Sequence, residues 1–145
     1  MTLQSDERLV IDASVAVKWV VPEHGSEHAE LLLDHALVAP DLLFAECANI
    51  LWKKVRRGEL TKAEADVAAQ TLELADLTVV SARWYLAAAT SIAVELDHPA
   101  YDGVYLAVAE ASGLRLVTAD GRLVRKVRES ENRFRQVLVA LCDAA

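Results

Sequence analysis

The chain has 145 residues, 54% of them hydrophobic and 26% charged, with 5 glycines, 3 prolines and 2 cysteines. That size and composition suit one domain spanning residues 1–145 that folds without disulfides, and they exclude a disordered chain, a turn-rich β-sandwich and a disulfide framework. With 22 acidic against 15 basic residues the formal net charge is −7, which argues against coating nucleic acid through a broadly basic surface but leaves room for a local basic patch or an acidic pocket that holds metal ions.

Leu9-Val10-Ile11 is a short apolar run closed by Asp12, and it predicts a buried strand. Ser14 is the expected cap of a helix through Val15, Val17, Trp19 and Val20, which Pro22 stops. A second helix is expected over Glu27–His35, with Leu31, Leu32 and Leu33 facing inward. Leu37-Val38-Ala39 predicts the second strand, ended by Pro40. Asp41 then opens a long amphipathic helix to Arg57, with Gly58 just past its end. Thr61 and Glu64 form a capping box for a helix to about Asp76. Leu77–Val80 is a β-branched strand, and alanine-rich helices follow over Arg83–Leu96 and Tyr101–Ala111, with His98-Pro99 between them. Arg115–Thr118 is the fourth strand, Asp120-Gly121 turns into a short helix, and Gln136–Val139 is the last strand. Strands alternating with helices from end to end predict a parallel sheet covered by helices on both faces. No apolar run approaches the ~20 residues of a membrane span. The polar Met1–Arg8 stretch lacks the apolar core of a signal peptide. The expectation is a cytoplasmic chain with no membrane contact.

In an open parallel sheet, ligands bind beyond the carboxyl ends of the strands. Asp12 and Asp120 both follow predicted strands. For each alone, capping the next helix is the simpler role. Glu46 lies inside the apolar stretch Leu42–Leu51, and Asn49 three residues on shares its helix face. A carboxylate among apolar neighbours needs a partner, and a salt bridge to Lys53, Lys54 or an arginine elsewhere would supply one. Asp102 opens the helix that runs to Glu110, where the helix dipole favours an acid. Four such acids at one edge of a sheet would repel one another by about 4 kcal/mol per close pair at an effective dielectric of 20. A hard divalent cation relieves that repulsion, and oxygen ligands suit Mg²⁺ or Mn²⁺.

Four segments together resemble the PIN-domain nucleases, and within them the VapC-type toxins of bacterial toxin–antitoxin pairs. They are Val10–Ser14, Pro40–Leu51, His98–Ala107 and Leu116–Leu123. The resemblance covers nearly the whole chain. It implies a three-layer α/β/α sandwich with a central parallel sheet of about five strands. It also implies Mg²⁺- or Mn²⁺-dependent RNA cleavage, a homodimer, and neutralisation by a small VapB-like antitoxin. Position by position, the family's metal-binding acids fall on Asp12, Glu46, Asp102 and Asp120, and its supporting polar residues on Ser14, Asn49 and Thr118. The implied mechanism is a metal-activated water attacking the scissile phosphate, with no histidine base.

An acidic pocket that holds a polyanion needs basic residues at its rim. Lys53, Lys54, Arg56 and Arg57 lie beyond Glu46, and Arg122, Arg125, Lys126 and Arg128 follow Asp120. Lys53, Arg57, Arg122 and Arg125 are the expected substrate contacts, although each charge run also suits a solvated helix face. Core packing is the default for Trp19, Trp52, Trp84 and Tyr85, with a groove for an antitoxin helix as the alternative. His24, His28, His35 and His98 have no zinc-like spacing and are expected on the surface. A turn is expected at Asp97 and a surface acid at Glu110.

Two other protein classes fit the sequence less well. A phosphoacceptor receiver would need paired acids after the first strand and a lysine before a proline, and neither is present. Phosphate-binding glycine motifs are absent too, which argues against a nucleotide-cofactor enzyme. A PIN-like module that binds RNA or protein without cutting, and a PIN nuclease in RNA processing outside a toxin–antitoxin pair, stay open.

Overall fold

Leu9–Ile11 form β1 with no solvent exposure at any of the three residues. Such a strand has to lie inside a sheet covered on both faces. The computed structural model, which describes residues 2–144, places it there. Met1, at the head of the polar N-terminal stretch, and Ala145 lie outside the described residues. The other strands are β2 (Leu37–Pro40), β3 (Thr78–Val80), β4 (Arg115–Thr118) and β5 (Leu138–Ala140). All pair in parallel in the order β3-β2-β1-β4-β5. Leu9 lies opposite both Leu37 and Arg115, and Val117 opposite both Ile11 and Val139. β3, at an edge, is the one strand with exposed residues.

Seven α-helices are described: α1 (Ala13–Ala16), α2 (Ser26–Leu31), α3 (Leu42–Arg56), α4 (Lys62–Glu73), α5 (Leu86–Leu96), α6 (Ala100–Ser112) and α7 (Gly121–Arg128). The expected parallel α/β architecture is present. None of these helices is long and apolar enough to cross a membrane. The chain runs outward from β1 to β3 and then returns to the other side of β1 for β4 and β5. The strand order therefore reverses between β1 and β4, which is where a parallel sheet opens a crevice for ligands.

Several expected boundaries shift for local reasons. Asp12 caps α1, accepting from the Val15 amide at 3.3 Å, while Ser14 sits within the helix. α1 is only four residues long and tightens into a 3₁₀ turn at Val17–Trp19. α2 likewise ends at Leu31 and passes into a 3₁₀ turn, so only Leu32 of the three leucines is buried. Asp41 does not cap α3; its carboxylate accepts from the Ala82 amide at 2.9 Å and ties the ends of β2 and β3 together. The capping box of Thr61 and Glu64 is present, though α4 stops at Glu73. The last strand starts two residues later than expected, because Arg133–Gln136 form a 3₁₀ turn that buries Phe134 completely.

α5 and α6 pack closely at Gly103, where an added Cβ would stand 2.7 Å from the Ala89 carbonyl oxygen. A backbone atom cannot swing aside as a side chain can. Gly103→Ala is expected to lower stability by about 1–3 kcal/mol, read as a shift of the urea midpoint with unchanged slope.

Candidate active site

One cavity of about 470 Å³ opens at the carboxyl edge of the sheet. Asp12, Glu46, Asp102 and Asp120 all line it. Each arrives on a different element. Asp12 follows β1 and Asp120 follows β4, so the two flank the reversal of strand order. Glu46 lies one turn into α3 and Asp102 in the first turn of α6.

Asp12 is 4% exposed. Ser14 Oγ donates to its Oδ1 at 2.5 Å, and Thr118 Oγ1 donates to its Oδ2. These hydroxyls and the Val15 amide are its hydrogen-bond donors, and none carries a charge. Burial pushes its carboxyl up to about 7, and the nearby Asp102 adds to the rise. Thr118 also accepts from the Asp120 amide at 3.0 Å, while Ser14 accepts from the Ala119 amide at 2.9 Å. The two hydroxyls thus tie the turn after β4 to the end of β1. Asp120 caps α7 through the Arg122 amide at 2.9 Å and still lines the cavity. For Asp12 and Asp120, capping and facing the cavity coexist.

Glu46 does not pair with Lys53 or Lys54. Tyr105, 1% exposed, donates its hydroxyl to Glu46 Oε1 at 2.5 Å. Lys54 instead reaches Glu23 at 2.5 Å. Burial raises the Glu46 carboxyl, and the charges of Asp102 and Asp120 push the same way. Asp102 is also held above its ordinary value, chiefly by burial, although His98 Nε2 donates to its Oδ2 at 2.6 Å and works against the rise. His98 is placed by Asp97, whose left-handed backbone (φ 51°) closes α5 and turns the chain into Pro99. The surface expectation fails for His98, whose side chain is 14% exposed. It fails in part for His28 and His35, both half-buried, His35 with Nδ1 at 2.8 Å from the Glu7 carbonyl.

Sequence reasoning missed Tyr105 and His98. The Tyr105 partner, Glu46, lies 59 residues away on another helix, and His98 stands before α6 begins, so no local spacing signal marks either. Ser14 and Thr118 stand where expected. Asn49 lines the cavity from an exposed position. Of the expected substrate contacts, Lys53 lines the cavity, whereas Arg57, Arg122 and Arg125 are exposed and outside its lining. Core packing fails for Trp52 and Trp84, which are 53% and 78% exposed with Arg56 and Arg83 stacked on their rings. Trp19 packs against the core and donates to the Ala29 carbonyl at 2.8 Å.

These side chains supply oxygen donors from four directions. Among the described residues, no three acidic, histidine or cysteine side chains stand close enough together to hold a metal ion by themselves. An open, carboxylate-lined cleft suits a cation that keeps several waters, as Mg²⁺ does. The donor set, all oxygen and held by neutral hydroxyls at Asp12 and Glu46, fits a hard divalent ion.

The PIN domain family matches residues 9–129. This chain belongs to the PIN-domain family. It is 38% identical over 123 residues to Ribonuclease VapC3 of Pyrobaculum aerophilum, covering 82% of this chain and 94% of that protein. Among solved structures, PAE2754 of Pyrobaculum aerophilum superposes with a TM-score of 0.61 at 28% identity, over 97% of this chain and 92% of that one. The sarcin-ricin loop cleaving toxin VapC20 of Mycobacterium tuberculosis has a TM-score of 0.61 at 15% identity, over 82% and 95%. VapBC2 of Rickettsia felis, bound to a fragment of its promoter DNA, has a TM-score of 0.58 at 15% identity, over 92% and 98%. The last two share the fold. The three-layer PIN arrangement expected from the sequence is therefore the one found.

Removing the Tyr105 hydroxyl leaves Glu46 half-buried with no donor. Tyr105→Phe in this PIN-domain chain is expected to keep the fold and to lower stability by about 1 kcal/mol, read as a shift of the urea midpoint.

Proposed function

We propose that this chain is a metal-dependent endoribonuclease and the toxin of a toxin–antitoxin pair. One observation carries the reading: four carboxylates from four separate segments line a single cavity where the strand order reverses. Asp12, Glu46, Asp102 and Asp120 would hold Mg²⁺ or Mn²⁺. The relative named Ribonuclease VapC3 supports the reaction class.

A metal held there would supply Lewis acidity and would make water a stronger nucleophile. The protein's part is placement. Ser14 and Thr118 fix the two oxygens of Asp12, Tyr105 fixes Glu46, and His98 fixes Asp102. Asn49 and Lys53 face the cavity from α3, where Lys53 would meet a phosphate oxygen of the RNA. Hydrolysis joins water to the scissile phosphorus and releases one RNA end as an alcohol and the other as a phosphate.

The same reading extends to partners and place. A VapB-like antitoxin would cover the toxin, as the VapBC2 complex suggests; a homodimer is a separate expectation that follows from the family resemblance alone. The protein would act in the cytoplasm as a single catalytic domain. The experiment is incubation of purified protein with total RNA in Mg²⁺, Mn²⁺ or chelator. Discrete products that need metal are expected. RNA binding without cleavage under every metal would replace this reading with a binding module.

A further inference from the structure

We propose that a second cavity, on the other side of the turn after β4, seats a nucleotide of the RNA strand next to the scissile phosphate. The proposal rests on the ribonuclease reading and extends it by a subsite. This cavity holds about 390 Å³, within the range that accommodates a small organic ligand. It too lies at the carboxyl edge of the sheet, between the ends of β4 and β5. Thr118 and Gly121 line it, while Asp120 between them lines the acidic cavity. The wall separating the two cavities is therefore the single turn that Ser14 and Thr118 tie to Asp12.

Its chemistry is the reverse of its neighbour's. Lys18, His24, His28 and Arg128 line it, and no acid does, in a chain with seven more acids than bases. Glu23 holds Lys18 at 3.0 Å from outside the lining, and Asp143 holds Arg128 at 3.1 Å. Glu23 is shared with Lys54, so one carboxylate faces two ammonium groups. Arg128 gives one terminal nitrogen to Asp143, which leaves its other N–H groups to donate. Each imidazole offers an N–H in either tautomer. Cys142 also lines the cavity, yet it forms no metal-ligand group with the two histidines among the described residues. Lys18 also donates to the His24 carbonyl at 2.7 Å, and with two cations, two imidazoles and no carboxylate in the lining the cavity favours an anion. Ala119, Val124, Ala140 and Leu141 give the cavity an apolar floor, which inorganic phosphate would leave unfilled and a base or ribose would cover.

The test uses the full chain with ¹³C-labelled histidine, titrated with adenosine and uridine 5′-monophosphate and, separately, with inorganic phosphate. The His24 and His28 signals are expected to move with the nucleotides, His35 to stay, and phosphate to bind more weakly. The His28→Gln, Arg128→Gln double variant changes exposed or half-exposed side chains and should fold normally. It is expected to weaken nucleotide binding about 10-fold and to raise KM for RNA similarly, with kcat within about twofold. The slope of log affinity for single-stranded RNA against log salt should fall by about 0.7, as expected when one phosphate is no longer neutralised. Unmoved signals with unchanged KM in a protein that still cleaves would overturn the subsite and leave the ribonuclease reading standing. Shifted signals in a protein that cuts no RNA would do the opposite.

Discussion

Asp12→Asn is expected to reduce metal-dependent RNA cleavage by more than about 100-fold while leaving the fold intact. The loss should exceed the 10- to 100-fold that removal of an outer partner costs at metal sites, because Asp12 is argued to face the metal itself. Asparagine has the same shape, and its oxygen can still accept from Ser14 and the Val15 amide. What it lacks is the negative charge at the place where the strand order reverses. Glu110→Gln is the matched control. Glu110 is also a carboxylate but lies on the far part of α6, where it pairs with Arg133 at 2.5 Å outside the cavity. That variant should cleave as the wild type does. Initial rates on one RNA substrate for the three proteins check the prediction, and wild-type cleavage by Asp12→Asn would remove Asp12 from the mechanism.

The second large effect is on stability. In metal-free protein the Asp12 carboxyl titrates near 7 when folded and near 3.8 when unfolded. Between those values the folded state binds more protons than the unfolded state, so stability falls as pH rises. Its contribution is fully present below about pH 3.8 and lost as pH passes through about 7. The interval of about three units corresponds to roughly 4 kcal/mol. Chelator-treated wild type should therefore lose stability from pH 5 to pH 8, to an extent that Asp12→Asn does not. At pH 8 the variant should be the more stable of the two without metal. Adding Mn²⁺ should reverse the order, because a ligand that binds only the folded state stabilises it. Denaturant midpoints at pH 5 and pH 8, with and without Mn²⁺, measure this. Parallel pH profiles for wild type and variant would show that the buried carboxylate is compensated some other way.

The four acids could be named from the sequence because each sits beside a strong local signal. Asp12 and Asp120 follow strands whose apolar runs are unambiguous, and Glu46 and Asp102 interrupt apolar helical stretches. Their convergence could not be seen in any one segment; it depends on the sheet order, which brings Thr118 beside Asp12 across 106 residues of chain. The partners were harder to read. Tyr105 looks like an ordinary core aromatic, and it is one, with its hydroxyl aimed at Glu46. A buried tyrosine needs a hydrogen-bond acceptor, but the sequence does not say which. His98 reads as a turn residue before proline, and only the left-handed Asp97 swings it onto Asp102.

Boundary errors share a cause. Short 3₁₀ turns at Val17–Trp19, Leu32–Asp34 and Arg133–Gln136 extend or replace regular elements, and each is dictated by what must be buried. Phe134 moves the start of β5, and Leu32 takes the inner position from Leu31 and Leu33. The tryptophan expectation failed for a different reason: arginine one or four residues away covers an indole face in solvent, so a large aromatic on a helix need not point inward. The two histidines on either side of Gly25 carry no motif at all. Only the turn after β4 and the end of β5 bring them to one cavity with Lys18 and Arg128.

The proposed catalysis depends on metal held among the four carboxylates. Crystals of the wild-type protein grown with Mn²⁺, measured at a wavelength where manganese scatters anomalously, test it most directly. An anomalous peak among Asp12, Glu46, Asp102 and Asp120, absent from Asp12→Asn, is the predicted result. Manganese bound elsewhere on the chain, with this cleft unoccupied while the protein still cleaves RNA, would contradict it.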